Sequence, residues 1–157
     1  MKYLAAPWRD KYFEMKQKGC IFCRAGKEKK DAKNFVIMRG DKCFLMLNLF
    51  PYTNAHVMIA PYRHTGDVTK LRSAELTEMM KLSQKAVAVM KKLFKCEGFN
   101  IGINQGAVSG AGFASHIHIH VVGRWGGDTN FMTALAGTRV TPSAPEKIYK
   151  MFKKELG

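Results

Sequence analysis

The chain has 157 residues, 46% of them hydrophobic, which fits one globular domain with a sizeable core and excludes an intrinsically disordered protein. No apolar run approaches the ~20 residues of a membrane span, and Pro7, Arg9 and Asp10 break the N-terminal stretch early, against a signal peptide; the cytoplasm is the expected location. A formal net charge of +14 implies attraction to polyanions such as nucleotides, polyphosphates or nucleic acid, although the lysine-rich stretches at 27–33 and 149–157 also read as solvated surface.

Residues 1–18 mix aromatics with charges and read as a short helix or arm. Residues 24–34 read as a charged loop. "NFVIMRG" (34–40) and "KCFLMLNLF" (42–50) are apolar runs parted by a turn-like break, which predicts a hairpin. The turn cluster "PYTN" leads to a third strand, "AHVMIAP" (55–61), ended by Pro61. A long helix follows, with Ser73 as N-cap, Glu75 in its first turn and Gly98 as its terminator. Leu76, Met79, Met80, Ser83, Val87, Met90 and Phe94 recur at helical spacing and read as its core stripe; Leu82, Val89 and Leu93 lie beyond it. "FNIGINQ" (99–105) resumes strand character, "GAVSGAG" (106–112) is a glycine-rich loop, "HIHIHVVGR" (116–124) is the last main strand, and 143–157 reads as a C-terminal helix. Hairpin-like links without βαβ alternation argue for an α+β fold. We expect a mainly antiparallel five-stranded sheet in one domain spanning 1–157.

Three of the five histidines alternate in that last strand. Period two puts His116, His118 and His120 on one face, with Ile117, Ile119 and Val121 on the other. Such a face is costly unless it is wet, metal-bound or built for an anion. Imidazoles about 7 Å apart along a strand are too spread for one ion to hold all three. One of them could bind metal while its neighbours serve as nucleophile, acid or base. Cys20 and Cys23 in "GCIFC" have a spacing that lets a turn present two thiolates to one ion, but a redox pair or two buried thiols would look the same.

The run His116–Val122 matches the histidine-triad pattern His-φ-His-φ-His-φ-φ, φ being apolar, and the chain resembles the histidine-triad superfamily of nucleotide hydrolases and nucleotidyltransferases. "LNLFPYTNAHVMIAPYRH" (47–64) resembles the family's second signature, and "NQGAVSGAGFASH" (104–116) its loop before the triad. "APWRDKY" (6–12) and "GRWGGDTNFM" (123–132) are similar to the branch acting on diadenosine tetraphosphate. The resemblance implies cleavage of dinucleoside polyphosphates through a nucleotidyl-histidine intermediate, by hydrolysis or phosphorolysis. It implies His118 as nucleophile, His120 and His56 as phosphate contacts with His120 aiding proton transfer, Gln105 near the bridging oxygen, and Asn48 at the ribose. The small residues Gly110, Ala111 and Gly112 would let backbone N–H groups approach phosphate. The resemblance also implies that His64 and His116 join Cys20 and Cys23 around a structural zinc, and that the chain forms a homodimer through the long helix and an adjoining strand. The chain departs from many relatives at Phe113, where they carry Ser or Thr, and at Gly123, where they carry Pro. A nucleoside phosphoramidate hydrolase, or a zinc-stabilised nucleotide- or nucleic-acid-binding module without turnover, are the alternatives; nucleic acid is the less favoured partner.

Overall fold

The computed structural model describes residues 19–128 and 143–156. The expected N-terminal arm and the 129–132 end of "GRWGGDTNFM" lie outside the described residues. In chain order the elements are α1 (Ile21–Lys27), α2 (Asp31–Asn34), β1 (Val36–Arg39), β2 (Cys43–Leu47), β3 (Val57–Pro61), α3 (Ser73–Phe94), β4 (Gly98–Ile103), β5 (Ile119–Arg124) and α4 (Pro145–Leu156). The strands form one antiparallel sheet in the order β1-β2-β3-β5-β4. The α+β architecture expected from the sequence is therefore observed.

Strands β2 and β3 are buried on both faces, so their alternation sorts residues between two cores rather than between core and solvent. Cys43, Leu45, Leu47, Val57 and Ile59 point to the back of the sheet, where α3 covers them, with α4 packed beside it against β1. Phe44, Met46, Met58 and Ala60 point to the front, where Phe22 and Ala25 of α1 cover them. The front is the histidine face.

Glu75 and Glu78 tie α3 to the strands' ends. Glu78 accepts backbone N–H bonds from Asp41, Lys42 and Cys43 in the β1–β2 turn, at 2.9, 2.6 and 2.7 Å. Glu75 is buried, pairs with Arg63 at 2.7 Å, and accepts the Arg72 N–H at 2.8 Å at the start of the helix.

Several sequence expectations shift. Residues 24–34 are not a loop: α1 and α2 occupy most of the stretch, because Phe22 and Ala25 have a front core to bury in. The N-cap of α3 is Arg72, not Ser73, and the helix ends at Lys95 in the left-handed region (φ 53°), so Gly98 instead opens β4. The buried stripe of α3 runs through Met79, Leu82, Ser83, Ala86, Val89 and Met90. Leu76 and Met80 are exposed, and Leu82 and Val89, expected beyond the stripe, belong to the core. The last strand enters its ladder only at Ile119, although Ile117 N–H already bonds the Thr65 carbonyl at 2.6 Å. Gly123 has a steric reason to lack a ring: a Cβ there would sit 2.6 Å from Cys96 Sγ.

Candidate active site

All five histidines converge on the front face. The His64 and His116 rings are 5.1 Å apart, His118 and His120 4.7 Å, and His56 and His120 5.0 Å. Three of the five are dry: His56 and His116 are 0% exposed and His118 3%, while His120 is half-buried and His64 exposed. Buried imidazoles need hydrogen-bond partners, and each of these rings has at least one.

His116 and His118 are held in opposite tautomers by backbone carbonyls. The Nε2–H of His116 donates to the Pro61 carbonyl at 2.9 Å, leaving Nδ1 as a lone pair. The Nδ1–H of His118 donates to the His116 carbonyl at 2.8 Å, leaving Nε2 as the lone pair. A carbonyl only accepts, so both assignments follow from the geometry.

A second chain fixes His120. The Nδ1 of His56 accepts the backbone N–H of Tyr52 at 3.2 Å and lies 3.2 Å from the Asn48 amide nitrogen. Its Nε2–H therefore donates to His120 Nδ1, at 2.9 Å. His120 in turn carries its own proton on Nε2. Burial, reinforced by the neighbouring imidazoles, pushes His56 down to about 3, and burial with His118 pushes His120 down to about 4. Burial lowers His118 as well, against its bond to the His116 carbonyl. All three are thus neutral near pH 7, the state in which imidazole nitrogen can attack or donate.

His118 and His120 line a cleft of about 130 Å³. Asn48, Gly110, Gly112 and Phe113 line it too. Asn48 Oδ1 also accepts the Phe50 N–H at 2.9 Å, so the residue braces its own loop. Gly110 has φ 85°, a conformation that favours glycine, with Ala111 between it and Gly112. Gln105 is exposed; its Oε1 accepts the Val68 N–H at 2.9 Å. His56 does not reach the cleft: it is fully buried and bonded to His120. Phe113 places an apolar ring, edge-on to Phe22 with centroids 6.0 Å apart, at the position where the sequence resemblance implies a hydroxyl.

Cys20, Cys23, His64 and His116 form a second centre beside the first, their donor atoms all within 4.8 Å of one another. Separations of 3.3 Å (Cys20 Sγ to His116 Nδ1), 3.2 Å (Cys23 Sγ to His64 Nδ1) and 3.2 Å (between the two Nδ1 atoms) are short enough for a shared ion. A tetrahedron with zinc–ligand bonds of 2.0–2.3 Å has edges of about 3.3–3.8 Å, so this group could hold a metal ion. The lone pair that Pro61 leaves on His116 Nδ1 points the right nitrogen at the cluster. Gly66 permits this meeting, since a Cβ there would collide with the Ala114 carbonyl oxygen.

Residues that sequence reading missed are Phe22, whose ring lies tilted against both His116 and His118, and the backbone groups of Pro61 and Tyr52. Only the position of Phe22 between the two cysteines could have drawn notice.

The HIT domain family model matches residues 29–127. The AP-4-A phosphorylases of two Mycobacterium tuberculosis strains are 42% identical over 112 residues, 71% of this chain and 57% of theirs. The chain thus spans little more than half the length of these relatives. An uncharacterised HIT-like protein of Methanocaldococcus jannaschii is 31% identical over 109 residues, 69% of this chain and 81% of that one. The crystal structure of a Zn-bound histidine triad family protein from Mycobacterium smegmatis matches with a TM-score of 0.70 at 25% identity, covering 87% of this chain and 91% of that one.

Proposed function

Since this chain belongs to the HIT domain family, we propose that it cleaves dinucleoside polyphosphates through a covalent nucleotidyl intermediate on His118. The observation that carries this is the tautomer of His118, whose Nδ1–H is held by the His116 carbonyl while the ring lines the cleft. The 42% identity to AP-4-A phosphorylases supports the substrate class.

The Nε2 lone pair of His118 attacks the α-phosphorus in line, and the bond from that phosphorus to its bridging oxygen breaks. His120 donates a hydrogen bond from its neutral Nε2–H to the departing oxygen, the nucleoside polyphosphate leaves as its anion with the electron pair of the broken bond, and His56 holds His120 in the tautomer that makes this bond. His56 therefore acts through His120, in place of the direct phosphate contact expected from sequence. The backbone around Gly110 and Gly112 receives the phosphate oxygens and Asn48 takes the ribose; Gln105, bonded to the Val68 N–H and not among the residues lining the cleft, would have to turn to reach the bridging oxygen. In the second half, water or inorganic phosphate attacks the phosphorus, the bond from phosphorus to His118 Nε2 breaks, His118 leaves as a neutral imidazole, and the proton of an attacking water passes to bulk solvent.

Zinc is the metal that two thiolates and two imidazoles suit best; four protein donors leave it no open position, so it is structural. Free thiol ligands suit the reducing cytoplasm. A homodimer would cover Leu76 and Met80 on α3 and Ile101 and Ile103 on the edge strand β4, all exposed in the single chain.

The test is product analysis with diadenosine tetraphosphate, with and without inorganic phosphate. Attack at the α-phosphorus gives ATP in both arms, with AMP as co-product if water is the acceptor and ADP if phosphate is. Substrate left intact in both arms refutes the reading.

A further inference from the structure

We propose that Phe22 is a positioning residue that transmits the geometry of the two-cysteine, two-histidine cluster to the imidazole of His118. This rests on the reading of His118 as nucleophile.

Phe22 is 1% exposed, stands between Cys20 and Cys23 at the start of α1 and, with His118, lines the cleft. Its ring lies over His118 with centroids 4.5 Å apart and planes inclined by 31°. The same ring lies on His116 at 5.1 Å and 37°. His120 meets His118 nearly edge-on, at 4.7 Å and 69°.

The Nδ1–H bond to the His116 carbonyl fixes one vertex of the His118 ring, about which the ring can still pivot. The torsion that turns an imidazole about its Cβ–Cγ bond has broad wells and does not stop that pivot. A ring lying against its face does. The direction of Nε2 is then set by three contacts: the carbonyl, the Phe22 face and the His120 edge. In-line attack at phosphorus depends on that direction.

Phe22 in turn needs an anchor. Helix α1 has seven residues, too few to persist by its own propensity. Cys20 and Cys23 hold the backbone on either side of Phe22, each with its sulfur within 3.6 Å of His116 Nδ1. The cluster and the nucleophile are thus joined twice, through the main chain of His116 and through the ring of Phe22.

The experiment compares Phe22→Leu, which fills similar volume without a flat face, with Phe22→Tyr, which keeps the face. Phe22→Leu should retain the wild-type metal content, lower kcat by about tenfold or more and change KM by less than about threefold. Long-range proton–nitrogen correlation spectra should show the His118 Nδ1–H tautomer giving way to a mixture. Phe22→Tyr should restore both signals, and Cys23→Ala should reproduce the spectral change of Phe22→Leu. Wild-type kcat and tautomer in Phe22→Leu would overturn the proposal, as would a change confined to KM, which would make Phe22 a substrate contact. A His118→Asn variant, run beside them, separates the two failures: near-normal turnover there removes the nucleophile assignment itself, whereas an inactive His118→Asn beside an unaffected Phe22→Leu removes only the role of Phe22.

Discussion

Where the chain enters β5, the two faces of the sheet are similarly buried and make opposite demands on the sequence. Behind β5 and the residues leading into it, Ile117, Ile119 and Val121 are 2%, 5% and 0% exposed; in front, His116 and His118 are 0% and 3%. The back face is satisfied by volume, and any well-packed apolar set would serve. The front face is satisfied only when each ring nitrogen meets its own partner: Pro61 carbonyl for His116, His116 carbonyl for His118, His56 for His120. Burial does not mark the functional face. The specificity of its pairing does.

The sharpest break between the faces is expected at His118. His118→Asn should leave the fold and metal content in place while turnover drops by roughly three orders of magnitude or more, since the covalent route disappears. Steady-state kinetics with circular dichroism and metal analysis check this, and mass spectrometry of the quenched wild type should place the nucleotidyl adduct on His118.

Cys20→Ala attacks the scaffold of the front face. Metal analysis should fall from about one zinc per chain to none, and the melting temperature should drop by about 10 °C or more, because metal binding is folding free energy. Stability should suffer more than turnover per folded molecule. A metal-free wild type that is fully stable refutes the zinc assignment.

Ile59→Ala attacks the back. Ile59 is 0% exposed in that core, so urea unfolding should show a loss of about 2–5 kcal/mol. Kinetic constants per folded molecule should stay within about twofold of wild type, because the back face supplies volume and no pairing.

Acid separates the faces most gently. His56 and His120, at about 3 and about 4 in the folded protein, lie below the ordinary histidine value of about 6.5. Between those limits the unfolded chain binds protons that the folded chain refuses. Stability is therefore complete above about pH 6.5 and falls as the pH drops toward 4, by at most about 1.4 kcal/mol per pH unit for each histidine. Urea midpoints at pH 7 and pH 5 measure the loss, and His56→Leu should flatten it.

The alternation at 116–122, the apolar runs at 34–61 and the long helical repeat could be read directly, because strand and helix periods are local properties of the chain. They suffice for the chain order of elements in an antiparallel α+β fold and for a common face for the three histidines, whereas the insertion of β5 between β3 and β4 is a tertiary result. The signature stretches named the candidate residues; which of them reach the cleft was another matter. Placing His56 behind His120 depends on contacts between positions 64 apart, and pairing Cys20 with His116 on positions 96 apart. No local pattern carries such information. The phase of α3 was hidden for a related reason: stripes through Leu76 and Met80, or through Leu82 and Val89, are both helical repeats, and only the sheet packed against the helix selects one. Helix α1 owes its existence to tertiary structure in the same way, since seven residues fold there only because Phe22 has two imidazoles to lie on and two sulfurs have a cluster to join.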